Sequence, residues 1–163
     1  MTAVEVRDAT AADFAAVLAM NNVSTPHVNA LTEEEFSWLR SHAAYFRVAT
    51  DGDGVAGFVL CLPAGVEYWS DNYKWFAARY DAFLYLDRVV VAERARRSGV
   101  GRALYDDVHA VGVGRWPRVA LEVNLRPPNP GSIAFHESLG YERVGVREYN
   151  DGTNAVQLYC RAV

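Results

Sequence analysis

Apolar positions change their spacing along the chain, and each change marks an element. Glu5-Val6-Arg7 alternates and predicts a short strand. Behind Thr10, the apolar residues Phe14, Val17 and Leu18 recur at helical spacing, so Thr10 reads as a helix N-cap. Residues 21–30 are polar and include Pro26, which predicts an irregular connection. Thr32 and Glu35 have capping-box spacing, and Phe36 and Leu39 supply the apolar face of a second helix. Residues 45–49 and 55–62 flank Asp51-Gly52-Asp53-Gly54, the pattern of a β-hairpin. The aromatic stretch Tyr68, Trp69, Tyr73, Trp75, Phe76 and Tyr80 then interrupts the strands and predicts a short helix. Residues 83–91 form a long apolar strand. A helix over 99–113 carries Leu104, Val108 and Val111 on one side, and 119–124 is another strand. Asn129-Pro130 opens a helix with an N-cap and a proline at its first position, and Gly140 ends it as a C′ glycine. Residues 141–149 and 155–161 close the chain as a strand pair around Asn150-Asp151-Gly152.

The order β-α-α-β-β-β-α-β-α-β-β predicts an α/β fold, a mixed sheet with helices on its faces. With 163 residues and neither an internal repeat nor a linker, the chain is expected to be one domain over 1–163. Hydrophobic residues make up 51% and charged ones 22%, enough for a core and unlike a disordered segment. No run of about 18 apolar residues occurs, so no membrane span is expected. The first eight residues carry acids and no apolar core of a signal peptide, so the cytoplasm is the expected location. Cys61 and Cys160 lie in apolar, strand-like runs and are expected to be buried free thiols. No metal-ligand spacing is present, and no metal is expected. A net charge of −4 argues against a nucleic-acid partner. Against that acidic background, Arg94, Arg96, Arg97 and Arg102 cluster, which suggests a small anionic ligand.

Strand 83–91 leads into Arg96-Arg97-Ser98-Gly99-Val100-Gly101-Arg102 and then into a helix. Gly99 and Gly101 remove side chains where a ligand approaches the backbone. The first N–H groups of the helix lack internal partners, and the helix dipole favours an anion there. Flanking arginines add bidentate donors, so a pyrophosphate is a natural occupant. A Walker A loop is excluded because no Gly-Lys pair occurs, and the G-x-G-x-x-G dinucleotide fingerprint is not matched.

These residues resemble the GCN5-related N-acetyltransferase (GNAT) superfamily. Residues 96–101 match its R/Q-x-x-G-x-G/A coenzyme A motif, and residues 129–141 resemble its second motif, an Asn-initiated helix ending in Gly-Tyr. The two motifs and their strands cover about half of the chain; the N-terminal half, which usually sets the acceptor, agrees by element order alone. The resemblance implies a central, mostly antiparallel sheet splayed between strands 83–91 and 119–124. It implies acetyl-CoA as co-substrate, with pantetheine amides pairing to backbone at Val89, Val90 and Val91 in the manner of an added strand. Pyrophosphate would sit on the amides of Arg96, Arg97, Ser98, Gly99, Val100, Gly101 and Arg102. Asn129, Ser132 and Phe135 would line the pantetheine arm. A small-molecule or peptide amine is the implied acceptor, and many members of the family are homodimers.

Acyl transfer to an amine needs a base for the ammonium, a donor for the developing oxyanion and an acid for the leaving thiolate. A backbone N–H near Val90 is the implied oxyanion donor. Many members place a tyrosine acid where this chain has His136. His136 is a candidate acid or, equally, a polar helix residue beside the cofactor. Candidate bases are Glu122, Asp87 and His27, with a water-mediated base also open. Period-two alternation puts Asn124 on the same strand face as Glu122. Asp87 is a carboxylate in an apolar strand, costly unless paired; a regular strand would turn Arg88 to the opposite face, and the β-bulge that the resemblance implies at this strand would change that. His27 is also a candidate for lining the acceptor pocket, and Tyr68 and Trp69 are candidate lid or wall residues over it. Three alternatives stay open: a longer acyl donor, an oxygen acceptor, or a coenzyme A-binding sensor without turnover.

Overall fold

The structure is a computed structural model and describes residues 3–163. They fall into two compact units: residues up to Pro63 with Leu86–Val111, and Ala64–Tyr85 with Gly112–Val163.

In the first unit, β1 (Glu5–Asp8) pairs antiparallel with β2 (Tyr45–Asp51), and β2 forms a hairpin with β3 (Gly54–Pro63). The hairpin turn works as its sequence predicts: Gly54 has φ +109°, and the Asp53 N–H donates to Asp51 Oδ1 at 2.9 Å. Two helices precede β2, α1 (Phe14–Val23) and α2 (Glu33–His42). The capping box of α2 is formed, with Thr32 Oγ1 accepting from the Glu35 N–H and Glu35 Oε1 accepting from the Thr32 N–H. Val17, Phe36, Leu39, Val48, Phe58 and Leu60 are buried as the core.

One expectation is met and one needs correction here. Thr10 is the N-cap of a 3₁₀ turn, Ala11–Asp13, that runs directly into α1 at Phe14, and Asp13 Oδ2 accepts from the Thr10 N–H at 2.8 Å. The helix then runs through Asn21 and Asn22 to Val23, into the stretch expected to be irregular. Tertiary bonds override the weak helix propensity of asparagine. Asn21 is buried; its Nδ2 donates to the Asn29 carbonyl at 3.0 Å and its Oδ1 accepts from Arg88 at 3.0 Å. Asn22 clamps both the N–H and the carbonyl of Leu31.

Strand β4 (Leu84–Val91) passes from one unit to the other, since Leu84 and Tyr85 belong to the second and Leu86 onward to the first. A 3₁₀ turn, Glu93–Ala95, and then α4 (Val100–Gly112) follow, and the first unit ends at Val111. Leu104 and Val108 of α4 are fully buried, as their spacing predicts.

The second unit opens with α3 (Asp71–Ala77), the short helix expected in the aromatic stretch, capped by Ser70 Oγ accepting from the Tyr73 N–H. It continues with β5 (Arg118–Arg126), α5 (Pro130–Ser138), β6 (Glu142–Tyr149) and β7 (Asn154–Ala162). Asn129 caps α5, accepting the Ser132 N–H on Oδ1 at 3.3 Å. Asn150 and Asp151 both have φ +53°, the left-handed pair that a tight hairpin between β6 and β7 requires. Tyr73, Phe76, Phe83, Tyr85, Leu158 and Tyr159 are buried in this unit. Gly145 lies where a bulge shifts the β6–β7 register, and a Cβ there would sit 2.5 Å from the Trp75 ring. Only a glycine lets α3 come that close.

The strand order is β1-β2-β3-β4-β5-β7-β6, an open mixed sheet. Pairings β1–β2, β2–β3, β5–β7 and β6–β7 are antiparallel. Strands β4 and β5 are parallel, and among the described residues their ladder comprises Leu84↔Val119 and Tyr85↔Ala120. Both cysteines are free: Cys61 is buried as expected, whereas Cys160 is half-buried. Burial pushes both thiols above the usual range.

Candidate active site

The arginine-glycine loop joins β4 to α4 in the first unit. The Ala92 N–H anchors the end of the strand on the Ala56 carbonyl at 2.8 Å, and Ser98 Oγ donates to the Ala95 carbonyl across the loop. Arg97 has φ +63° and Gly99 φ +86°. These left-handed residues reverse the chain so that α4 starts with its N-terminal N–H groups turned to the loop. The Ala103 N–H makes the first helical bond, to the Gly99 carbonyl at 3.0 Å, so the amides before it have no helical acceptor. A Cβ at Gly99 would meet nothing within 4 Å, so the space over the loop is open. Val100 is buried and seats the helix, while a Cβ at Gly101 would reach ordinary contact with Val91.

The four arginines of this region divide by partner. Arg94 is held by Asp51 at 2.8 Å and by the Val55 carbonyl, and Arg102 lies 3.3 Å from Asp106. Arg96 and Arg97 are exposed and make no ion pair among the described residues. Loop amides and two uncommitted guanidiniums suit a diphosphate.

Along β4, Val90 is buried, and Val89 and Val91 are half-buried. Asp87 and Arg88 are paired, which resolves the alternative left open by the sequence: Arg88 Nε is 2.8 Å from Asp87 Oδ2, and both side chains are buried. The guanidinium goes on to Asn21 Oδ1 and the Asn29 carbonyl, which ties the connection after α1 to the strand. Asp87 is therefore a neutralised, buried carboxylate. His27 is exposed in that connection, with its backbone N–H on the Ser24 carbonyl.

The second unit holds a polar chain that sequence reasoning found only at its centre. The Tyr85 hydroxyl donates to Glu122, 2.8 Å from Oε1 and 2.7 Å from Oε2. Asn72 Nδ2 donates to Glu122 Oε1 at 3.1 Å, and Asn72 Oδ1 accepts from Arg147 Nε at 2.8 Å. Glu122 and Asn124 are both half-buried on β5, in keeping with one shared face. Tyr85, Asn72 and Arg147 were missed. One signal was available: Arg147 follows Gly145 by two, and a glycine inside a strand marks a close approach.

In α5, His136 is buried, with Nδ1 2.7 Å from the Ser132 carbonyl and 3.2 Å from Ser132 Oγ. Its ring stacks on Tyr159 and meets Tyr141 edge-on. Burial pushes its pKa below the ordinary histidine value, partly offset by the Ser132 bond. A neutral imidazole whose Nδ1–H donates to a carbonyl leaves Nε2 as an acceptor. Phe135 and Ser132 are half-buried and Asn129 is exposed. Val66, Glu67, Tyr68, Trp69, Tyr73, Lys74 and Ala77 line an open cavity of about 350 Å³. Tyr68 is buried edge-on against Tyr73, and Trp69 is 48% exposed, so Trp69 is the solvent-facing part of that wall.

Several known proteins are similar to this chain in sequence or in fold. The Acetyltransferase (GNAT) family model matches residues 12–141. Phosphinothricin N-acetyltransferase of Streptomyces viridochromogenes is 30% identical over 151 residues, covering 87% of this chain and 76% of that one. Ard1 from Thermoplasma volcanium superposes with a TM-score of 0.73 at 25% identity, covering 99% of this chain and 98% of that one. Arabidopsis thaliana NAA60 in complex with acetyl-CoA gives 0.77 at 17% identity, covering 99% and 100%. The chain belongs to the GNAT family of acetyltransferases.

Proposed function

We propose that this enzyme transfers the acetyl group of acetyl-CoA to an amine of a small molecule or peptide by direct attack in a ternary complex. The observation that carries the donor side is the loop after β4, with its left-handed Arg97 and Gly99, open space over Gly99, and exposed Arg96 and Arg97 that make no ion pair among the described residues. Residues 96–102 hold the pyrophosphate. Backbone groups of Val89, Val90 and Val91 take the pantetheine amides, and the Val90 N–H is the donor for charge developing on the transferred carbonyl. Asn129, Ser132 and Phe135 contribute to the pantetheine arm. The family match runs through both units, which supports one catalytic domain over 1–163. Two free cysteines agree with a reducing compartment, the cytoplasm.

Glu122 is the base. It is a carboxylate oriented by the Tyr85 phenol and the Asn72 amide, half-buried on a face of β5 that it shares with Asn124. Asp87 is paired with Arg88 and serves to hold the strand and the connection after α1. The amine nitrogen bonds the acetyl carbon as the carbon–sulfur bond breaks. Of the two protons the ammonium loses, one leaves through Glu122 and the other ends on the thiolate sulfur. The buried, neutral state of His136 supports a role in placing α5 rather than as that sulfur's acid. Asn124, His27, Tyr68 and Trp69 are assigned to the acceptor.

The test is product formation with acetyl-CoA and a panel of amines, amino acids and peptides. Glu122→Gln is expected to lower kcat by about 10²–10⁴-fold with acetyl-CoA affinity retained. Acetyl-CoA binding with no amide product from any acceptor would turn the reading to a sensor.

A further inference from the structure

We infer that Arg147 selects acceptors that carry an anionic group close to the amine, so that the substrate class is an amino acid or a similar small zwitterion. This inference rests on Glu122 being the base of the proposed transferase.

The second unit carries a guanidinium that no carboxylate touches directly among the described residues. Arg147 is half-buried on β6, and it makes no ion pair among the described residues. Its Nε is committed to Asn72 Oδ1 at 2.8 Å, and its guanidinium lies over the Tyr149 ring at 4.9 Å. Those two contacts orient the plane of the group, and neither offers a negative charge. Its Nη atoms carry the remaining N–H donors, arranged as a fork that fits a carboxylate, phosphonate or similar oxyanion. A lysine would present only a point charge there.

The second link is Asn72. One amide binds Arg147 through its oxygen and Glu122 through its nitrogen, the latter at 3.1 Å. A cation and a carboxylate therefore flank a single side-chain amide. A molecule whose ammonium and anionic group are a few bonds apart spans the same interval with opposite signs. Glu122 faces the ammonium that must lose its proton, and Arg147 faces the anion. The acceptor is neutral overall, and so is the pair of side chains that receives it. A neutral amine would leave the guanidinium desolvated without a counter-charge, a cost that a zwitterion avoids.

A purely structural Arg147 would tie β6 to α3 through Asn72 and would be indifferent to acceptor charge. Matched pairs separate these roles: glycine and glycinamide, β-alanine and β-alaninamide, 4-aminobutyrate and 4-aminobutyramide, each with acetyl-CoA. The wild-type enzyme is expected to prefer the acid over its amide in kcat/KM in at least one pair, through KM. Arg147→Gln is expected to shrink that acid-to-amide ratio at least about tenfold, equivalent to about 1.4 kcal/mol. Arg147→Lys keeps the charge and is expected to restore part of the ratio, and it serves if the glutamine variant fails to fold. Acetylation of the amines with no preference for any acid, or with a ratio untouched by both variants, overturns the inference and leaves the transferase reading standing. No acetylated product from any acceptor overturns that reading, and this inference with it.

Discussion

Burial sets the charge of His136, and that has a measurable sign. Its folded pKa lies below the unfolded value of 6.5 because desolvation disfavours the imidazolium, with the Ser132 carbonyl opposing in part. The unfolded chain therefore binds a proton first as the pH falls. This group costs stability progressively once the pH drops below about 6.5, and the cost levels off below the folded pKa. Above that window it contributes nothing to the pH dependence. Replacing it removes the effect: between about pH 7.5 and pH 5.5, His136→Gln is expected to lose less unfolding free energy than wild type in urea titrations. An equal loss in both proteins would assign the acid sensitivity elsewhere. The same residue shows what sequence can convey. A histidine in place of tyrosine was visible, whereas its neutral state follows from packing against Tyr159 and Tyr141, which no local pattern encodes.

Elements come close at glycines, and these contacts are where strand and helix positions are most sensitive. At Gly57 of β3 a Cβ would sit 2.8 Å from the Val90 carbonyl and 3.2 Å from both Leu104 and Val100. The nearest atom is backbone and cannot rotate away. Gly57→Ala is thus expected to destabilise by about 1–3 kcal/mol, read as a lower urea midpoint with an unchanged slope. A midpoint equal to wild type would mean that β4 shifts freely. Most elements were legible because their signals are local: the capping box of α2, the Asp-Gly turn after β2, the Asn129 cap of α5. The loop after β4 was legible for the same reason, since glycine spacing and arginines sit in one run. The chain from Tyr85 through Glu122 and Asn72 to Arg147 was not. Its hydrogen bonds join residues 37, 50 and 75 positions apart, and only the sheet and α3 bring them together.

The whole molecule responds to its donor by mass action. A ligand that binds only the folded chain adds about 2.7 kcal/mol at a hundredfold excess over Kd, so saturating acetyl-CoA is expected to raise Tm by several degrees. Gly99→Asp tests whether that gain passes through the loop. Aspartate is among the residues that best tolerate positive φ, so the backbone at φ +86° accepts it with modest strain, but its carboxylate enters the space meant for diphosphate. The variant is expected to lose the acetyl-CoA shift and to show no binding heat; a shift of wild-type size would remove the loop from the donor site. One further property of the folded chain bears on how turnover is followed. Cys61 is sealed in the core, Cys160 is half-covered, and burial raises both thiols, so neither supplies much thiolate to a disulfide reagent. A colorimetric thiol stain in native buffer therefore carries a low, steady protein background, and its slope reports liberated coenzyme A alone.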